Sequence, residues 1–213
     1  MDKNIGLYII IDGAFTRDFV NFTKLAIDAG LKIIQYRDKK IETLEMLKNA
    51  IKIQKLTEKS DINFIINDNV EIALKSNADG VHIGQKDEKY ENVRKFLPDK
   101  IIGLSTENIE QSLIADKTGA DYLGVGPVFS TSTKPDAAPP IGPKKLKEIV
   151  KSTTIPIVAI GGINLQNLEI VLETGVNGVA IISAILAAPN PEKEVKKITS
   201  IINRFRERIN YDE

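Results

Sequence analysis

Short apolar runs, each ending on a reactive polar residue, recur down the whole chain. IIQYRDK ends on Gln35, Arg37 and Lys39, FIIND on Asn67 and Asp68, VHIGQKD on Asp87, and IIGLST on Ser105 and Thr106. YLGVGPVFSTSTK brings Thr131, Thr133 and Lys134, IPIVAIGG brings Gly161 and Gly162, and VAIIS brings Ser183. Runs this short, continuous and rich in Ile and Val read as buried parallel strands, because such strands are covered on both faces. Polar residues gathered where many parallel strands end describe the mouth of a TIM barrel, the α/β class (β/α)8 fold, whose active site lies at that end.

The 213 residues fit one such barrel near the lower end of its size range, so residues 1–213 are expected to form a single domain. Strands are expected at 6–12, 31–37, 63–67, 80–84, 101–105, 122–126, 155–160 and 178–182, each followed by a helical pattern. In the last helix Val195, Ile198, Ile201, Ile202, Phe205 and Ile209 recur at steps of three and four. The signals DAG, NADG, TGAD and TGVNG mark helix ends where glycine takes the left-handed cap. One long irregular segment, Val128 to Pro143, has few apolar residues to hold it and reads as an active-site lid that ligand orders.

Composition narrows the partners. The formal charge is zero, with cations and anions interleaved, so no basic face suits nucleic acid. No apolar stretch reaches the roughly 18 residues that cross a bilayer, and MDKNIGLYIIIDG lacks a signal-peptide pattern, so a cytoplasmic protein is expected. With no cysteine there is no disulfide, thiolate zinc site or thiol nucleophile. A metal would be held by oxygen ligands or by the single imidazole, His82, which favours Mg2+ over zinc. A homo-oligomer is compatible with this reading.

The mouth segments suggest two anion sites. Gln35, Arg37 and Lys39 are two residues apart and would project together from an extended strand, a cationic set suited to pyrophosphate. A solvated strand end would read the same way. Asp68 and Asp87 supply carboxylates from neighbouring strands, the usual protein share of a magnesium site, although a single Asp after a strand also serves as a helix cap. Ser105 and Thr106 read equally well as caps for a helix starting at Glu107. Thr131, Thr133 and Lys134 offer two hydroxyls and a cation, or simply a polar loop. The glycine turn AIGGI with the following ISAI is the strongest local signal, since the loops after the last two barrel strands form phosphate pockets from backbone amides. His82, flanked by apolar residues in GVHIG, reads as a hydrogen-bonded core residue rather than an acid or base.

Taken in order, QYRDK, IIND, ADGVHIGQKD, IIGLST, ADYLGVGPVFSTSTK, PIVAIGGI and GVAIISAI resemble the thiamine phosphate synthase family along nearly the whole chain. The resemblance implies condensation of 4-amino-2-methyl-5-hydroxymethylpyrimidine diphosphate with 4-methyl-5-(2-hydroxyethyl)thiazole phosphate, two small-molecule substrates. It assigns the pyrimidine diphosphate to Gln35, Arg37, Lys39, Asn67, Ser105 and Lys134, and Mg2+ to Asp68 and Asp87. Arg37, Lys39, Ser105 and Lys134 take catalytic roles toward the leaving group, and Thr131, Thr133, Gly162, Ile182 and Ser183 hold the thiazole phosphate. Two positions depart from the family's pattern: Tyr36 replaces an aliphatic residue and should point away from the mouth, and Glu107 stands where many relatives have histidine. A thiazole tautomerase of similar fold uses a histidine in that stretch and lacks much of the diphosphate site, and a non-catalytic thiazole phosphate-binding paralogue would lack the magnesium carboxylates. This chain has the opposite pattern to both.

Overall fold

The computed structural model describes residues 3–134 and 137–212, the side chains of 209–212 excepted. Eight strands form a closed barrel in sequence order: β1 Gly6–Asp12, β2 Ile33–Arg37, β3 Asn63–Asn67, β4 Gly80–Ile83, β5 Ile101–Thr106, β6 Tyr122–Val125, β7 Ile157–Ile160 and β8 Gly178–Ile181. All neighbours are parallel, and β1 closes on β8 with Gly6 opposite Gly178. Helices α1 Phe19–Asp28, α2 Thr43–Thr57, α3 Val70–Ser76, α4 Tyr90–Phe96, α5 Ile109–Thr118, α6 Gly142–Ser152 and α7 Leu168–Leu172 follow the first seven strands in turn. After β8 comes the short α8 Ser183–Leu186 and then the long α9 Pro191–Asp212.

Because side chains alternate across a strand, each run feeds two cores. Tyr8, Ile10, Ile33, Ile65, Tyr122, Val158 and Ala180 fill the barrel interior. Their neighbours Ile9, Ile11, Ile34, Tyr36, Phe64 and Ile66 face the helices. Tyr36 accordingly points away from the mouth, packing edge-on against Phe19 at 4.8 Å between ring centroids while its hydroxyl accepts a hydrogen bond from Asn49. In α9, Val195, Ile198, Ile202 and Phe205 are buried, Ile201 is half-buried, and the helix packs on α7, α8 and β1. The side chain of Ile209 lies outside the described residues.

The structure corrects three local expectations. In NADG the left-handed cap of α3 is Asn77 (φ 55°), while Gly80 opens β4, where a Cβ would stand 2.2 Å from the Ile101 carbonyl oxygen. Asparagine tolerates the left-handed region through its short polar side chain, which leaves the glycine for the close strand contact. Ser105 and Thr106 are not caps. Both lie in β5, the Thr106 hydroxyl accepts from Ser112 at 2.9 Å, and α5 is capped by Asn108, which accepts from the Gln111 amide. The segment after β6 is tied at its base rather than loosely held. Val128 is fully buried and donates to the Ile160 carbonyl, while the Ile141 and Gly142 amides donate to Pro127 and Val128 at 2.9 and 3.0 Å. Its end also comes earlier than expected, since Gly142 and Pro143 belong to α6. Pro135 and Asp136 of this segment lie outside the described residues. Among the described residues no helix is long and apolar enough to cross a membrane.

Candidate active site

The strand ends open into a cavity of about 730 Å³. Gln35, Arg37, Lys39, Asn67, Asp68, Asp87, Ser105, Thr131, Thr133, Lys134, Gly162, Ile182 and Ser183 all line it. The barrel therefore gathers every binding residue expected from the sequence, drawn from seven of its eight strand ends.

On one side β2, β3 and β4 bring charges together. Gln35 and Arg37 project from β2, but that strand ends at Arg37, and Lys39 reaches the cavity from the turn beyond it. The chain leaves the ladder there because the Asp38 carboxylate accepts from the Lys40 amide at 3.1 Å and pairs with Arg17 at 2.5 Å. Both cations are already paired. Arg37 forms an ion pair with Asp12, whose side chain is 1% exposed, and Lys39 pairs with Asp68. A buried carboxylate behind Arg37 fixes the guanidinium and leaves its remaining donors for a ligand. Asp12 ends the run YIIID at the carboxyl end of β1, so it obeyed the same pattern as the other mouth residues but was not singled out from sequence.

Asp68 and Asp87 face one another. Neither caps a helix: Asn69 caps α3, accepting from Ile72, and α4 begins after Lys89. Asp68 sits at φ 60°, its amide donating to the His82 carbonyl at 2.8 Å, and Asp87 accepts from the Gly84 amide at 2.7 Å. Burial pushes the Asp68 carboxyl above its ordinary range, partly opposed by the Lys39 hydrogen bond, and the hydrogen bond with Asp87 raises it further. Asp87, though partly desolvated, is lowered by its hydrogen bonds from Asp68 and Gly84. The two carboxylates thus shift one another in opposite directions, Asp68 upward and Asp87 downward. Two facing carboxylates are a donor set suited to a hard divalent cation, whose charge would relieve their mutual repulsion.

On the opposite wall, Lys134 is the one charged side chain among the described lining residues that follow β6, β7 and β8. The Thr133 hydroxyl stands 3.5 Å from that of Ser183, joining the loop after β6 to the start of α8. Between them Gly162, at φ 65°, brings its backbone against the loop, so close that a Cβ would lie 2.5 Å from the Ser130 carbonyl oxygen. Lys134 sits near enough to the acidic side for its charge to lower both His82 and Asp87.

The cavity floor is a chain of hydrogen bonds that sequence reasoning reached only in part. His82 bonds Tyr122 through Nδ1 and Ser105 through Nε2, both at 2.9 Å, and Tyr122 bonds Tyr8 at 2.9 Å. Gln35 completes the chain by donating to Tyr8 at 2.9 Å. Desolvation pushes His82 down to about 4, so its ring is neutral near pH 7. The expectation of a hydrogen-bonded histidine holds, though His82 faces the cavity rather than lying sealed in the core. Glu107 also lines the cavity, its amide donating to Gln111 at 2.8 Å.

A closed parallel barrel with paired carboxylates, carboxylate-held cations and a glycine turn gathered around one cavity at its mouth has the architecture of a TIM-barrel enzyme acting on small molecules. Residues 7–185 match the sequence model of a family described as thiamine monophosphate synthase. The chain is 42% identical over 206 residues to a thiamine-phosphate synthase of Archaeoglobus fulgidus, covering 97% of each protein. It is 45% identical to one from Clostridium novyi, covering 94% of this chain and all of the relative. Among solved structures, a thiamine phosphate pyrophosphorylase from Pyrococcus furiosus superposes with a TM-score of 0.89 at 38% identity, over 95% of this chain and 98% of that one. The chain belongs to the thiamine monophosphate synthase family, enzymes of thiamine biosynthesis.

Proposed function

We propose that this enzyme joins the methylene of 4-amino-2-methyl-5-hydroxymethylpyrimidine diphosphate to the nitrogen of 4-methyl-5-(2-hydroxyethyl)thiazole phosphate, releasing thiamine phosphate and pyrophosphate. The observation that carries this reading is one cavity with a charged wall, Arg37, Lys39, Asp68 and Asp87, facing a hydroxyl and glycine wall, Thr131, Thr133, Gly162 and Ser183. Two anionic substrates fit such a cavity with their reacting ends between the walls.

The residues present explain a reaction without a protein nucleophile. The methylene–oxygen bond breaks as pyrophosphate takes the electron pair, the aminopyrimidine ring stabilises the positive carbon, and the thiazole nitrogen lone pair closes the new bond. Arg37, Lys39 and Lys134 stabilise charge growing on the leaving group, and Asn67 and Ser105 add hydrogen-bond donors. Mg2+ held by Asp68 and Asp87 would supply further charge neutralisation at the diphosphate. Gln35 faces the pyrimidine edge. Thr131, Thr133, Ser183 and the amides around Gly162 and Ile182 hold the thiazole phosphate, and the barrel wall keeps water from the positive carbon.

The test is a direct assay. Purified protein with both substrates and magnesium should form thiamine phosphate and pyrophosphate in equal amounts, and omission of either substrate or of the metal should abolish product. Formation of an isomerised thiazole phosphate without the pyrimidine would instead establish a tautomerase.

A further inference from the structure

The chain from Gln35 to Ser105 crosses the barrel floor from β2 to β5 through β1, β6 and β4, joining residues on five strands. Only its two ends, Gln35 and Ser105, belong to the substrate-binding set described above; the middle members Tyr8, Tyr122 and His82 do not, yet space is cleared for them. Gly103 lies under the ring pair, where a Cβ would stand 2.2 Å from Tyr122 and 2.5 Å from His82 Nδ1. A hydroxyl offers one hydrogen and can also accept, so each link constrains the next. The Gln35 amide nitrogen donates to Tyr8, so the Tyr8 hydrogen goes to Tyr122 and the Tyr122 hydrogen goes to His82 Nδ1. A neutral imidazole that accepts at Nδ1 carries its proton on Nε2, which then donates to Ser105 Oγ. The Ser105 hydrogen is left to point into the cavity.

We propose that Tyr8, Tyr122 and His82 are positioning residues that carry one hydrogen-bond direction across the barrel, so that Gln35 reading an amino group makes Ser105 a donor to the diphosphate. This rests on the substrate assignment above. With its amide nitrogen turned inward to Tyr8, Gln35 presents its carbonyl oxygen to the cavity, the orientation an exocyclic amine selects. A carbonyl at the same ring position would select the reverse orientation. Every link would then invert, the histidine proton would move to Nδ1, and Ser105 would turn its hydrogen away from the anion. Pyrimidine identity would thus be read twice, once by contact and once through Ser105.

His82 is the only histidine, so the nitrogen-15 spectrum of labelled protein reports this one ring without assignment. The wild type should show the proton on Nε2. Gln35→Glu, measured at about pH 8 where an ordinary carboxylate is ionised, offers only acceptors and should move the proton to Nδ1. Adding Tyr8→Phe to Gln35→Glu cuts the chain and should abolish that shift. In turnover, Tyr122→Phe should lower kcat about tenfold, the scale of one lost hydrogen bond to a charged group, with KM for the thiazole phosphate unchanged. Tyr8→Phe combined with Tyr122→Phe should be no worse than the poorer single variant, since a chain is broken only once, whereas independent packing roles would add. A wild-type proton on Nδ1, or the same tautomer in wild type and Gln35→Glu, would overturn the proposal. The spectra need no activity: the expected tautomers without thiamine phosphate formation would refute the substrate reading and leave the relay standing.

Discussion

Asp68 concentrates the conflict between stability and chemistry in one residue. Its backbone is left-handed, its carboxylate is desolvated, and a second carboxylate faces it. The raised carboxyl means that the folded chain binds more protons than the unfolded one from the ordinary carboxylate range upward. Stability is therefore lost as pH rises through that window. Asp68→Asn keeps a residue that tolerates positive φ and removes the repulsion. It should raise the metal-free melting temperature near neutral pH, flatten the pH dependence of melting above the ordinary carboxylate range, and abolish stabilisation by magnesium. Turnover should fall on the order of a hundredfold or more, the scale of a lost metal contribution to charge stabilisation. Melting curves with and without magnesium, alongside the assay, check all of this; a variant that melts lower without metal would contradict the repulsion argument. Asp68 itself was legible as a polar residue ending an apolar run. Its pairing with Lys39 and Asp87 was not, because those partners arrive from other turns of the barrel.

At the scale of elements, the turn after β7 and the segment after β6 act as one unit. Gly162 packs against Ser130 and Phe129, and the Phe129 amide donates to the Gly161 carbonyl at 3.0 Å. From sequence alone, a larger residue at 162 reads as an obstruction of the thiazole phosphate pocket that spares diphosphate binding. The close approach to Ser130 changes that expectation. Even Gly162→Ala must push the loop that carries Thr131, Thr133 and Lys134, besides placing a side chain at φ 65°. With backbone strain on the order of 1–3 kcal/mol, affinity for the thiazole phosphate should fall about tenfold or more, and the pyrimidine diphosphate should also weaken through Lys134. Calorimetric titration of each ligand distinguishes the two readings, and unchanged diphosphate binding would show the loop to be independent of the turn. The glycine pair was visible in the sequence as a tight turn at the barrel mouth. Its second role, seating the neighbouring loop, depends on which strand lies beside β7 and could not be seen there.

Across the whole molecule, closure joins the first strand to the last, and α9 buttresses the join. Arg206 reaches back to Asn4 and donates to the Asn177 carbonyl at 2.7 Å, while Val195, Ile198 and Ile202 bury their side chains beneath the helix. Ile198→Ala should therefore destabilise the protein by about 2–5 kcal/mol, as for other fully buried aliphatic truncations. The kcat of the fraction that remains folded should stay close to wild type, because the mouth lies at the other end of the strands' influence. Denaturant unfolding monitored together with activity tests this; loss of activity well before unfolding would mean that the seam also shapes the site. The amphipathic spacing of α9 and the run lengths of the strands made this architecture readable in advance, since both are properties of neighbouring residues. Strand limits moved by no more than two residues, as with Leu31 and Lys32, which stay outside β2. The chain's own order of residues determined the barrel, the strand ends and the identity of the groups at the mouth, because apolar periodicity and turn chemistry act locally. Tertiary structure alone decided which groups meet: Asp12 behind Arg37, Lys39 on Asp68, and Tyr8 on Tyr122, 114 residues apart. Those contacts follow from strand register and barrel closure, which bring remote positions within hydrogen-bond reach and leave no trace in the spacing of either partner's neighbours.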